Sequence, residues 1–181
     1  RGHQVLLERN RAWAEHFGVP ATVVTFEPHP RELFQPDAAP ARLTDLRGKV
    51  RVLRGLGLAD RVVVLPFNRR LAGMEPETFV ERLLVAGLDA RQVVVGHDFS
   101  FGRARRGTLA DLERLGGQHG FGLEAVPEQQ LGGEKLGSTA IREALVVGDL
   151  GRAERLLGRP YRLCGRVVAG DQGGHTLGFP T

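Results

Sequence analysis

Apolar residues alternate between two regimes along the chain. From Gln4 to Phe17 the residues Val5, Leu6, Trp13 and Phe17 are interspersed with charge, as in an amphipathic helix that Gly18, Val19 and Pro20 close. "ATVVTF" follows as a short, continuous apolar run of the kind a buried strand shows. The alternation then repeats. A helix is predicted from Asp45 to Leu56, a strand at "RVVVLPF", a helix from Pro76 to Ala86, a strand at "QVVVG", a helix from Leu109 to His119 and a strand at "GLEAVP". Two short helices follow, one over Ala140 to Val147 and one ending near Leu157.

Continuous β-branched runs separated by amphipathic helices imply strands covered on both faces, so the pattern predicts an α/β fold with a parallel sheet. In such folds sites gather where the strands end. That directs attention to "EPHPRELF", "NRRLAGM" and "GHDFSFGRARRG", the three loops that follow the first three visible strands. The pattern changes again at "GRPYRLCGRVVAGDQGGHTLGFPT", where two segments of strand character flank a glycine-rich turn, as in the first hairpin of an all-β module. A domain boundary is expected near Gly158, dividing residues 1–158 from 159–181.

The stretch "LGSTAIREALVVGD" has an unusual charge arrangement for a helix start. Ser138 or Thr139 can cap it, but Ile141 and Arg142 stand three residues on, so no capping box with Glu or Gln forms. Outward N–H groups, two hydroxyls and a guanidinium one turn away suit a chain of phosphates. "RGHQ" offers a second helix start, with Gly2 allowing close approach and His3 placed to neutralise charge on phosphorus. In "GHDFSFGRARRG" a ring could stack on Phe101 while Asp98 fixes a nucleotide, although Phe99 or Phe101 could equally plug the core. In "EPHP" two prolines make the turn rigid, and His29 reads as a pocket wall.

Composition narrows these readings only in part. The 181 residues suffice for one good core, 41% of them are hydrophobic and 25% charged, and the longest apolar runs are far too short for a bilayer. Arginines dispersed among acids, with a formal charge of +4, argue against a dedicated nucleic-acid binder and suit phosphorylated small molecules. The single Cys164 excludes an internal disulfide and fits a reducing, cytoplasmic setting. The chain starts at Arg1 and has its one methionine at position 74, so the natural start is expected upstream. No G-x-G-x-x-G or G-x-x-x-x-G-K-[ST] motif occurs, which disfavours a dehydrogenase or a P-loop kinase.

Taken in order, "RGHQ", "VTFEPHP", "GHDFSFG", "STAIREALVVGD", "LLGRPY" and "GGHTLGFPT" resemble the bacterial bifunctional riboflavin kinase/FAD synthetase family over the whole chain. The resemblance implies a Rossmann-like parallel-sheet nucleotidyltransferase domain that transfers AMP from ATP to FMN, followed by the first strands of a β-barrel riboflavin kinase. Gly2 and His3 are similar to the second half of the family's HxGH motif. Ser138, Thr139 and Arg142 match its S-S-T-x-I-R phosphate motif, with Gly137 in place of the first serine. The resemblance makes His3 and Arg142 the expected catalytic residues and adds Gly2, Asp98, Ser138 and Thr139 to the ATP side. It places Pro28, Pro30, Phe34, Phe79 and Phe101 around the flavin, and Thr181 at the metal of the kinase module, where His175 replaces a common arginine. Mg²⁺ is the implied cofactor, and ATP, FMN and riboflavin the implied small-molecule partners. Two other readings stay open: another small-molecule nucleotidyltransferase, and a flavin-binding regulator without turnover.

Overall fold

Runs of valine make the strands, and the helices between them decide how the strands meet. The structure is a computed structural model that describes residues 2–165, with residues 2 and 3 described by their backbone alone. Helix α1 (Gly2–Phe17) leads into β1 (Thr22–Glu27), α2 (Pro30–Phe34), α3 (Leu46–Gly55) and β2 (Arg61–Pro66). After these come α4 (Arg69–Ala72), α5 (Pro76–Phe79), β3 (Gln92–Gly96), α6 (Leu109–His119) and β4 (Gly122–Val126). A short hairpin of β5 (Gln130–Leu131) and β6 (Glu134–Lys135) precedes α7 (Ser138–Val146) and α8 (Leu150–Leu157).

The strands are parallel as expected, but they are grouped in pairs. β1 pairs with β2 in a register that sets Thr22 opposite Arg61, and β3 pairs with β4 with Gln92 opposite Gly122. Among the described residues no ladder joins the two pairs, so the single sheet expected from the sequence is two parallel units plus the antiparallel β5–β6 hairpin. The result is a mixed α/β fold. The predicted helix from Pro76 to Ala86 is present, but beyond Phe79 it winds wider over Val80–Val85, where the Ala86 N–H donates to the Glu81 carbonyl at 2.8 Å. Gly158 ends α8 in the left-handed conformation at φ 73°, at the expected boundary. Residues 160–165 form no regular element, and the remainder of the expected hairpin, His175 and Thr181 lie outside the described residues.

The core lies on the β3–β4 side. Phe79, Val80, Phe101, Leu112, Leu115 and Phe121 form a buried cluster, with Leu83, Leu84, Val93, Val95 and Leu123 packed against it. On α1 the buried side chains are Leu7 and Ala14, whereas Phe17 is 42% exposed. Helix α1 packs on β3, and its Arg9 and Trp13 both donate to the Glu124 carboxylate of β4. α6 begins with a Thr108–Asp111 capping box and ends at Gly120 in the left-handed region.

Two adjacent glycines of α6 make opposite demands. A Cβ on Gly116 would stand 2.6 Å from the Phe121 carbonyl oxygen, whereas Gly117 has nothing within 4 Å. Gly116→Ala is therefore expected to lower stability by about 1–3 kcal/mol, and Gly117→Ala to raise it by up to about 1 kcal/mol through helix propensity. Urea unfolding of the two variants compares them directly.

Asp60 joins α1 to the start of β1 and β2. It accepts from the Ala21 N–H at 2.7 Å and from Arg11 at 2.8 Å, and these bonds hold its carboxyl below the ordinary range. Because the folded value is depressed, its contribution is complete above the unfolded carboxylate value of about 4. It is lost as pH falls through the folded value. Asp60→Asn is expected to flatten that part of the acid limb of a melting-temperature profile.

Candidate active site

The carboxyl ends of the strands carry the chemistry-bearing residues, as the topology rule requires. β1 ends at Glu27, joined by a cis peptide to Pro28, and the chain turns at once into α2. His29 is the N-cap of that helix: its Nδ1 accepts from the Arg31 N–H at 3.2 Å, while Glu32 returns a bond to the His29 N–H. Pro30 occupies the first helical turn, where its missing N–H is harmless. This short helix was invisible to hydrophobic periodicity because five residues offer no repeat. The signal that could have found it is the H-P-x-E pattern, an unusual capping box with histidine as the cap.

Helix α2 places Phe34 at its end, 61% exposed and edge-on to Phe67, which in turn meets Phe26. Phe67 follows β2 directly, so the two strand ends share one aromatic ledge. Phe79 and Phe101 stand elsewhere. Both belong to the buried core, 8% and 5% exposed, with ring centroids 5.4 Å apart, and Phe101 stacks on Phe99. The loop carrying Phe101 is pinned by reciprocal backbone bonds between Phe101 and Gly107 and by the Arg103 N–H on the Met74 carbonyl. Ala104 and Arg105 within it adopt positive φ, 53° and 60°, which costs energy in residues other than glycine.

Helix α7 packs on α8 and reaches the loop after α2 through Arg142. Its N-cap is Gly137, which has no side chain to offer, so Ser138 and Thr139 lie inside the first turn and do not cap it. The first turn contains no acidic residue. Those N–H groups therefore face outward with the positive end of the helix dipole behind them. Arg142, one turn on, donates from Nε to the Ala41 carbonyl at 2.7 Å, which fixes the guanidinium against the loop that follows α2. Beside this loop Arg42 joins Glu27, at 2.6 Å, to Glu32.

At the other end, Lys135 lies three residues before Ser138 and pairs with Glu128, which stands 3.9 Å from His97 after β3. Asp98 is exposed at that same strand end and lies within the electrostatic reach of Lys135. Thus Lys135, just before α7, is tied to Glu128 after β4, and Arg142 of α7 is tied to Ala41 in the loop that follows α2. Gly2 and His3 form the first turn of α1, and the His3 side chain lies outside the described residues.

Sequence comparison shows the family. The family described as FAD synthetase matches residues 1–140. The chain belongs to the FAD synthetase family. The family described as riboflavin kinase matches residues 157–181, from the end of α8 onward. The bifunctional riboflavin kinase/FMN adenylyltransferase of Pseudomonas fluorescens is 46% identical over 181 residues, and that of Escherichia coli K12 is 42% identical. Both alignments take in 100% of this chain and 58% of the relative, so this chain spans 58% of the length of those relatives. A solved structure, the macrolide-efflux protein of Streptococcus pneumoniae, has a TM-score of 0.75 at 24% identity, over 89% of this chain and 53% of the other. That likeness is one of fold. Among the described residues no helix is long and apolar enough to cross a membrane.

Proposed function

We propose that residues 1–158 transfer AMP from ATP to FMN, forming FAD and pyrophosphate, and that residues 159–181 open a riboflavin kinase module in the whole protein. The observation that carries this reading is the start of α7: an uncapped, acid-free helix start with Ser138 and Thr139 in its first turn and Arg142 held on Ala41 beside it. Such a start binds anions through N–H groups and dipole together. The fold agrees with a Rossmann-like nucleotidyltransferase domain, and the match to the FAD synthetase family names the chemistry.

In this mechanism the 5′-phosphate of FMN attacks the α-phosphorus of ATP and pyrophosphate leaves, so the oxygen–phosphorus bond formed replaces the one broken. No covalent intermediate with the protein is required, and the protein contributes position and charge. Ser138, Thr139, the α7 N–H groups and Arg142 would hold the departing phosphates. Asp98 would fix the nucleoside end of ATP, and Gly2 with His3 would approach the α-phosphate from the start of α1. Pro28, Pro30 and Phe34, on the ledge completed by Phe67, form the flavin side. Phe79 and Phe101 support the neighbouring loop from the core.

Among the described residues no three metal-ligating side chains gather, so Mg²⁺ would enter with ATP and take its oxygens chiefly from the phosphates. Thr181 would serve the kinase module in the same capacity. The full-length protein, incubated with FMN, ATP and Mg²⁺, is expected to release FAD and pyrophosphate in equal amounts. Flavin binding without either product would replace this proposal with that of a flavin-binding regulator.

A further inference from the structure

His29 is held in a way that its capping duty does not exhaust. Its Nδ1 accepts the Arg31 N–H, so in this geometry Nδ1 carries no proton and the neutral ring bears its proton on Nε2. Among the described residues Nε2 has no hydrogen-bond partner, and the residue lies at the surface. The ring orientation is set by the capping box, with Glu32 bonded to the His29 N–H and itself anchored by Arg42. A donor of fixed direction therefore stands at the end of β1 without a protein acceptor.

The charges around it are mostly positive. Lys49 of α3 reaches over β1, its Nζ donating to Thr25 Oγ1 at 3.0 Å, and Arg142 of α7 is fixed on Ala41. Both act on His29, as does Arg31 of its own helix, and Glu32 opposes them. Packing around the ring comes first, and with these cations it keeps His29 below the ordinary histidine range despite Glu32. The neutral imidazole is thereby favoured, and its Nε2–H can donate to a dianion while Lys49 and Arg142 supply the charge.

Position selects the ligand. His29 caps the helix that carries Phe34 on the aromatic ledge with Phe67, where a flat ring can rest, and Arg142 at the proposed triphosphate site lies within electrostatic reach of His29. A phosphate carried by a ring on that ledge would meet the same cations. We propose that His29 donates from Nε2 to the 5′-phosphate of FMN, with Lys49 beside it, so that these two side chains grip the phosphate that attacks ATP. The inference rests on the adenylyl-transfer reading above; it gives His29, read from the sequence only as a pocket wall, a direct contact, and adds Lys49, which no motif singled out.

Two substitutions separate gripping from capping, because each keeps one half of the histidine. His29→Asn retains an acceptor for the Arg31 N–H and loses the distal donor. His29→Gln places an amide N–H near the former Nε2 and loses the cap. In the full-length protein, FAD formation is measured with FMN and ATP varied separately, alongside the melting temperature.

For His29→Asn the expected result is an unchanged melting temperature, an unchanged KM for ATP and a loss of about 10- to 100-fold in kcat/KM for FMN. His29→Gln is expected to stay within about tenfold of wild type in kcat/KM for FMN and to melt lower. The inference is overturned if His29→Asn works like wild type, if its loss falls on ATP as heavily as on FMN, or if His29→Gln is the more damaged of the two. A wild-type protein that makes no FAD overturns the adenylyl-transfer reading itself. Normal wild-type turnover with an indifferent His29→Asn overturns this inference alone.

Discussion

Arg142→Ala is expected to lower kcat/KM for ATP by about 100-fold while leaving FMN binding within a few-fold of wild type. The guanidinium is held by one bond, from Nε to the Ala41 carbonyl, which orients the planar group and leaves its terminal N–H groups free for phosphate oxygens. Alanine removes the charge and, with it, the proposed bonds to phosphate. Lysine keeps the charge but cannot span the carbonyl and a phosphate in one plane, so Arg142→Lys should still lose about 10-fold. Arg142 is only partly buried, and the melting temperature of either variant should change little. Steady-state kinetics with each substrate varied separately provides the check. Equal losses for ATP and FMN would make Arg142 a structural tie between α7 and the Ala41 loop instead of a ligand to phosphate.

Phe101→Ala should have its largest effect on folding. The ring is 5% exposed, stacks on Phe99 with centroids 5.7 Å apart and meets Phe79 at 5.4 Å. A Cβ on Gly107 would stand 2.8 Å from it, so the ring packs directly on the far side of its own loop. Truncation leaves a cavity against Phe79 and Phe99, and a loss of about 3–5 kcal/mol is expected. In a chain of this size that corresponds to a fall of roughly 10 °C in melting temperature. Phe34→Ala is the contrasting variant. With 61% of Phe34 exposed, its removal should cost less than about 0.5 kcal/mol and act instead on KM for FMN. If Phe101→Ala melts like wild type but no longer uses FMN, Phe101 is a wall of the flavin pocket, as the family resemblance implies, and the core is held by its neighbours.

The helices and strands were largely legible because their signals are local. β3 and α6 have the bounds that periodicity predicts, and α3 lies between its predicted ends, with Asp45 as cap and Leu56 as the closing residue. Elements too short to repeat were not legible: α2, α4 and the β5–β6 hairpin together place His29, Asn68 and Lys135, and none spans enough residues to establish a period. The cap of α7 is Gly137, one residue before Ser138 and two before Thr139, the two candidates that the sequence offers. Composition favours a hydroxyl at such a start, but the backbone gives Gly137 the extended conformation of an N-cap and puts Ser138 inside the helix.

By itself the sequence determined the α/β alternation and the parallel strands, and it supplied the expectation of a break near Gly158 and of two phosphate-handling helix starts. Each depends on neighbours within a few residues. Only the tertiary structure decided that Arg142 is tethered to Ala41, 101 positions earlier in the chain, that Lys49 reaches Thr25 within electrostatic range of His29, and that Phe101 is enclosed while Phe34 is open. The physical reason is that periodicity records which side of an element avoids water, whereas a site depends on which distant elements pack together and on which polar groups that packing leaves without partners.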